Sequence, residues 1–119
     1  MPTSESAPVP RQWDVVVLPF PYADRLAEKR RPAVVISKPE TADRHGIIWV
    51  AMITSAANSG WECDIPIPQD NDTGLLAPSV IRPWKIATVD VSRVVRVAGH
   101  LGAENAAELS QALMAVVSS

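Results

Sequence analysis

A single cysteine, Cys63, has no partner for a disulfide within the chain. That excludes the cross-linked scaffolds of small secreted domains and fits a reducing compartment. Only two histidines are present, His45 and His100, and no cysteine pair has metal-ligand spacing, so a zinc site is not expected. Cations are not in excess: 11 Lys and Arg stand against 13 Asp and Glu, a net charge of −2. A general nucleic-acid binder would be basic. Long apolar runs are missing too. The longest uncharged stretch, Gly46 to Trp61, is too short, and too polar at its far end, to span a bilayer. Met1 to Pro10 lacks the basic start and apolar run of a signal peptide. These absences predict a soluble cytoplasmic protein with no membrane contact and no cofactor.

What is present is a chain of 119 residues, enough for one domain with its own core. Eleven prolines favour short strands and stiff loops over long helices. Residues 1–11, small, polar and proline-rich, are expected to be a disordered tail, and residues 12–119 the folded domain. From Trp13 to Phe20 the chain carries Val15, Val16, Val17 and Leu18 in succession, which predicts a strand covered on both faces. Tyr22 to Arg31 is a polar connection, long for a hairpin. Further strands are expected over Pro32–Ser37, Ile47–Ser55, Cys63–Ile67, Ser79–Arg82, Trp84–Val89 and Val94–Gly99. Pro66 marks the Cys63–Ile67 strand as an edge. Lys38–Gly46, Ala56–Trp61, Pro68–Gly74 and Asp90–Arg93 read as turns and loops. Alternation puts Ile48, Val50, Met52 and Thr54 on one face of their strand, and Ile47, Trp49, Ala51, Ile53 and Ser55 on the other. Ala106, Leu109 and Leu113 recur at helical spacing over Ala103–Val117, with Glu104 in the first turn. The pattern predicts a mainly β protein: a small barrel of short, mostly antiparallel strands with a C-terminal α-helix.

Lys29-Arg30-Arg31 runs straight into Pro32-Ala33-Val34-Val35-Ile36-Ser37. A residue before proline is pushed toward extended geometry, and Pro32, lacking an N–H, suits the first position of a strand. Arg31 is therefore expected at a strand mouth on a stiff backbone, with a planar fork of donors suited to phosphate oxygens. A solvated charge or a structural ion pair is the plainer alternative. Arg25, Lys29, Arg30 and Arg31 form a basic lip with Glu28 alone among them, whereas Glu62, Asp64, Asp70 and Asp72 have no cation between them. A nucleic acid would lie on the lip and away from the acidic loop. Trp61 and Trp84 flank the inferred cleft as base-stacking candidates, while Trp13 and Trp49 are read as core or dimer packing.

Taken in order, Trp13-Asp14-Val15-Val16, Phe20-Pro21-Tyr22, Arg30-Arg31-Pro32-Ala33-Val34-Val35-Ile36-Ser37, Ile53-Thr54-Ser55 and Ser79-Val80-Ile81-Arg82 resemble the MazF/PemK (Kid) toxins. So do Lys85-Ile86-Ala87-Thr88-Val89-Asp90, Arg93 and Gly99-His100-Leu101, and the likeness runs from about Trp13 to Val117. The resemblance implies an SH3-like barrel, a homodimer, and the toxin half of a type II toxin–antitoxin pair with a cognate antitoxin protein. It implies metal-independent cleavage of single-stranded RNA, mRNA included, at short sequences. On the resemblance Arg31 is the catalytic arginine before proline, Thr54 the catalytic threonine with Ser55 beside it, and Arg82 a further catalytic arginine of the Kid branch. The expected RNA contacts are Arg25, Lys29, Arg30, Ser55, Asn58, Trp61, Trp84 and Lys85. The chain departs from the pattern at Trp84, where the PemK branch has an acidic residue two positions after its arginine. Tyr22–Arg31 is also poorer in glycine than the MazF loop.

The chemistry asks for little beyond these residues. RNA brings its own nucleophile, the 2′-hydroxyl. Arg31 and Arg82 would clamp the phosphate and stabilise the charge that develops on it, and Thr54 would orient it. Arginine titrates too high for acid–base work, so the general base is left open. His45 is expected to be solvated in a turn, and His100 to pack or bond locally at a strand end. Two other classes stand beside the nuclease. One is a non-nucleolytic toxin or binding module of the same fold that inhibits a protein target, as the related gyrase poisons do. The other is a catalytically decayed relative.

Overall fold

The computed structural model describes residues 9–19, 30–68 and 72–118. Its elements run β1 (Asp14–Pro19), β2 (Arg30–Val35), α1 (Pro39–His45), β3 (Ile47–Ser55), β4 (Ile65–Ile67), β5 (Ser79–Asp90), β6 (Arg96–His100) and α2 (Ala103–Val117). The strands form one antiparallel sheet in the order β4-β5-β3-β2-β1-β6, curled into a half-barrel with β4 and β6 as its edges. The edge position expected of the Pro66 strand is where β4 lies.

The valine run of β1 explains how the sheet is covered. Val15 and Val16 are both 0% exposed, yet they belong to different clusters, because alternate residues of a strand point to opposite faces. Val16, Ala33, Val50 and Ala87 form one face, on which α1 lies through Ala42. Val15, Val34, Ala51 and Ile81 form the other face, and α2 lies on it through Leu109. Leu109 is fully buried, so Leu109→Ala would cost about 2–5 kcal/mol.

Several local expectations need correction. Lys38–Gly46 is no mere turn. Pro39 opens α1 at its first position, where its missing N–H costs nothing, and Gly46 closes it in the left-handed conformation (φ 68). Ser79–Asp90 is one strand of 12 residues, because Pro83 falls in a register shift opposite Ala51/Met52 where no ladder N–H is needed. Pro32 is the third residue of β2; the β2–β3 ladder begins at Ala33, so the missing donor falls outside it. Trp49 is half-exposed, which removes the core alternative for its packing and leaves the dimer one, while Trp13 packs at the margin of the α2-covered cluster. Pro10, placed by sequence in the tail, is buried, and the Arg11 N–H donates to Asp14. Residues 1–8 of the tail, Tyr22 and the lip residues Arg25 and Lys29 lie outside the described residues.

Two glycines seat the segment after β4. Gly74 has φ 72, and a Cβ there would collide with the Ala98 backbone. A Cβ on Gly99 would collide with Asp72 and Thr73. Their bareness lets residues 72–74 lie directly on β6, where the His100 N–H donates to the Asp72 carbonyl at 2.8 Å.

Candidate functional site

A hollow of about 380 Å³ opens where β1, β2, β3 and β6 meet the segment after Gly74. Val17, Ile53, Leu75 and Ala98 give it apolar walls, and Arg31, Thr54, Ser55, Asn58, Ser79 and Arg96 supply its polar groups. Sheet register explains the assembly. Val17 pairs with Pro32 on one side and with Arg96 on the other, and Arg31, opposite Leu18, is the residue next to Pro32, so both arginines come to the rim of the same hollow. Their strands are two interstrand spacings apart, roughly 10 Å, within reach of two long side chains for one backbone segment of a ligand. Arg31 is half-buried and Arg96 exposed, and among the described residues neither has an ion-pair partner.

Thr54, the last residue but one of β3, lines the hollow and is buried at 8% exposure. Its Oγ1 accepts a hydrogen bond from Asn58 Nδ2 at 3.1 Å. Asn58 is delivered by a single 3-10 turn, Ala56–Asn58, which Ser55 caps by accepting from the Ala57 N–H. The small-residue loop after Thr54 is therefore a turn that returns an amide to the threonine.

Arg82 is placed differently from the expectation of a free phosphate clamp. Three of its five N–H donors are engaged. Nε donates to Asp64 Oδ1 at 3.1 Å, and Nη2 donates to Asp64 Oδ2 at 2.9 Å and to the Asn58 carbonyl at 2.8 Å. Asp64 also accepts from the Gly60 and Trp61 N–H groups. The Trp61 ring covers the guanidinium at 4.3 Å, a stacked cation–π arrangement, with Lys85 Nζ 5.7 Å from the ring centroid. The hydrogen bond from Arg82, then its charge and the two N–H groups, outweigh burial and hold the Asp64 carboxyl below the usual aspartate value. The acidic loop is thus not simply an unpaired negative region.

The structure brings together Arg31, Thr54, Ser55 and Asn58. It puts Arg82, Trp61 and Lys85 in an adjoining cluster that touches the hollow through Asn58. Arg30 and Trp84 are exposed and line neither group. Sequence reasoning missed Arg96 and Asp64. Neither His45 nor His100 lines the hollow, and both are exposed. Among the described residues no three His, Cys, Asp or Glu side chains gather as a metal site, and no helix is long and apolar enough to cross a membrane.

Residues 11–117 match the family model described as PemK-like, MazF-like toxin of type II toxin–antitoxin system. The chain belongs to this toxin family. No curated protein sequence matches it. Among solved structures, this toxin superposes on MazF from Deinococcus radiodurans with a TM-score of 0.77 at 24% identity, covering 94% of this chain and 99% of that one. The Mycobacterium tuberculosis toxin MazF-mt6 gives 0.69 at 22% identity, over 86% and 93% of the two chains. A mycobacterial endoribonuclease in complex with its cognate antitoxin gives 0.73 at 12% identity, over 91% and 94%. At these identities the likeness establishes a shared fold, and the half-barrel with its C-terminal helix is that of the MazF toxins.

Proposed function

We propose that this toxin cleaves single-stranded RNA, mRNA included, at short sequences without a metal or cofactor, and is restrained by a cognate antitoxin. The observation that carries the reading is the convergence of Arg31, Arg96 and the Thr54 hydroxyl on one hollow of a size that suits a nucleotide. The 2′-oxygen attacks the phosphorus as the bond to the 5′-oxygen breaks. The 2′-hydroxyl proton leaves to water and the 5′-oxygen takes one up, giving a 2′,3′-cyclic phosphate and a free 5′-hydroxyl. Arg31 stabilises the added charge at the phosphorus, and Thr54 donates to a non-bridging oxygen. Arg96 takes the second cationic place expected of Arg82, since three of the five Arg82 N–H donors are committed to Asp64 and Asn58 and its charge is paired with Asp64. Ser55 and Asn58 complete the polar lining. Arg25, Lys29, Arg30 and Lys85 add positive field along the strand, with Trp61 and Trp84 offering ring faces to flanking bases. A mycobacterial endoribonuclease of the same fold forms a complex with its cognate antitoxin, which supports both the activity and the partner. A homodimer is part of the same reading.

Incubating purified toxin with mixed-sequence RNA in EDTA tests it. Cleavage to cyclic-phosphate ends by the wild type, lost in folded Arg31→Ala, is the expected result. Intact RNA, or growth arrest in cells without RNA loss, would move the reading to a protein target.

A further inference from the structure

The Thr54 hydroxyl is set up from a distance. Its oxygen accepts from Asn58 Nδ2, so its one hydrogen is available for donation elsewhere, and the hollow lies beside it. Phosphate oxygens only accept, so a donor aimed into the hollow is the useful state. Asn58 is held in turn through its main-chain carbonyl, which accepts from Arg82 Nη2 at 2.8 Å. The Arg82 guanidinium is fixed by both oxygens of Asp64. Asp64 closes the circuit by accepting from the Gly60 and Trp61 N–H groups, while its own N–H donates to the Trp61 carbonyl at 3.2 Å. The turn carrying Asn58 is thus pinned from behind by one carboxylate. Sheet register places that carboxylate beside Arg82: Ile65 pairs with Ile81, so Asp64 is the next residue along, facing Arg82.

We propose that Asp64 is a positioning residue for catalysis, acting through Arg82 and Asn58 to keep the Thr54 hydroxyl donating toward the scissile phosphate. The proposal rests on the nuclease reading for its kinetic consequence but not for its geometry. Loss of Asp64 lets Asn58 swing away, and Thr54 is then free to turn its hydrogen elsewhere. Arg31 and Arg96 are untouched, so RNA still binds. The signature is a fall in kcat that exceeds any change in KM.

The test uses Asp64→Asn, Asn58→Ala and the double variant, all as full-length toxin, with Arg82→Lys as a second route should Asp64→Asn fail to fold. Asp64→Asn is expected to lower kcat by about tenfold, the order expected for one lost oriented hydrogen bond to the reacting group. In the Asn58→Ala background the same change is expected to cost less than about twofold, because both act through one hydroxyl. Equal losses in both backgrounds, or a rise in KM alone, overturn the proposal. An independent readout is the side-chain amide resonance of Asn58. Asp64→Asn is expected to shift it and to speed its exchange with water, whether or not RNA is cut. An unchanged Asn58 amide overturns the proposal while leaving the nuclease reading standing. A shifted amide in a protein that cuts no RNA removes that reading and keeps the positioning geometry.

Discussion

Arg82 Nη2 lies 2.9 Å from Asp64 Oδ2, with both side chains only 7% exposed. Removing one member of such a pair strands the other charge away from water, and that loss exceeds the net worth of the intact pair. Arg82→Ala is therefore expected to destabilise the fold by about 3 kcal/mol, measured as a lowered urea midpoint at neutral pH. Arg82→Lys keeps the charge but loses the two-pronged fit, and is expected to cost less.

The same pair sets an acid limb. The Asp64 carboxyl is held below its usual value of 3.8, chiefly by the hydrogen bond from Arg82. A folded-state value below the unfolded one gives stability that is full above the unfolded value and drains as pH falls through the folded one. The urea midpoint of the wild type is expected to drop as pH falls from about 5 toward 2, with a flatter limb in Asp64→Asn. Asp90 is also lowered, by the Ser92 N–H and hydroxyl, so the difference between the two proteins isolates Asp64.

Arg31 and Arg96 divide the work differently. Arg31→Ala is expected to cut kcat by about a hundredfold or more, as when a fixed donor to a developing charge is lost. Arg96→Gln is expected to raise KM and to lower the salt slope of binding to an uncleavable RNA by about 0.7, the value for one phosphate contact on a single strand. Titrations at several salt concentrations separate the two.

With neither histidine at the hollow, the rate is expected to rise with pH without a limb near the ordinary histidine value. The double variant His45→Gln/His100→Gln is expected to retain the wild-type profile. A limb that vanishes in that variant would place a histidine in proton transfer.

Much of the scaffold was legible in the chain. The valine run of β1 announced a strand covered on both faces, and alternation in β3 sorted its residues between the two clusters. The stripe of α2 pointed Leu109 inward. That Arg31 and Thr54 would come to one hollow was legible, because local chemistry and the resemblance singled out the same two residues. Asp64 was not, because its partner is far along the chain and only the β4–β5 register makes them neighbours. Arg96 was hidden for the same reason: it reads as a solvated strand residue until Val17 is seen between it and Pro32. Helix α1 escaped because it has a single buried apolar residue, Ala42, and no side-chain cap at Lys38.

The most direct test of the account is the set of arginine Nε–H resonances during titration with a 2′-O-methyl RNA that binds but cannot be cut. Arg31 and Arg96 are expected to shift together, while Arg82, already held by Asp64, stays where it is. A shift at Arg82 with Arg96 unmoved would contradict it.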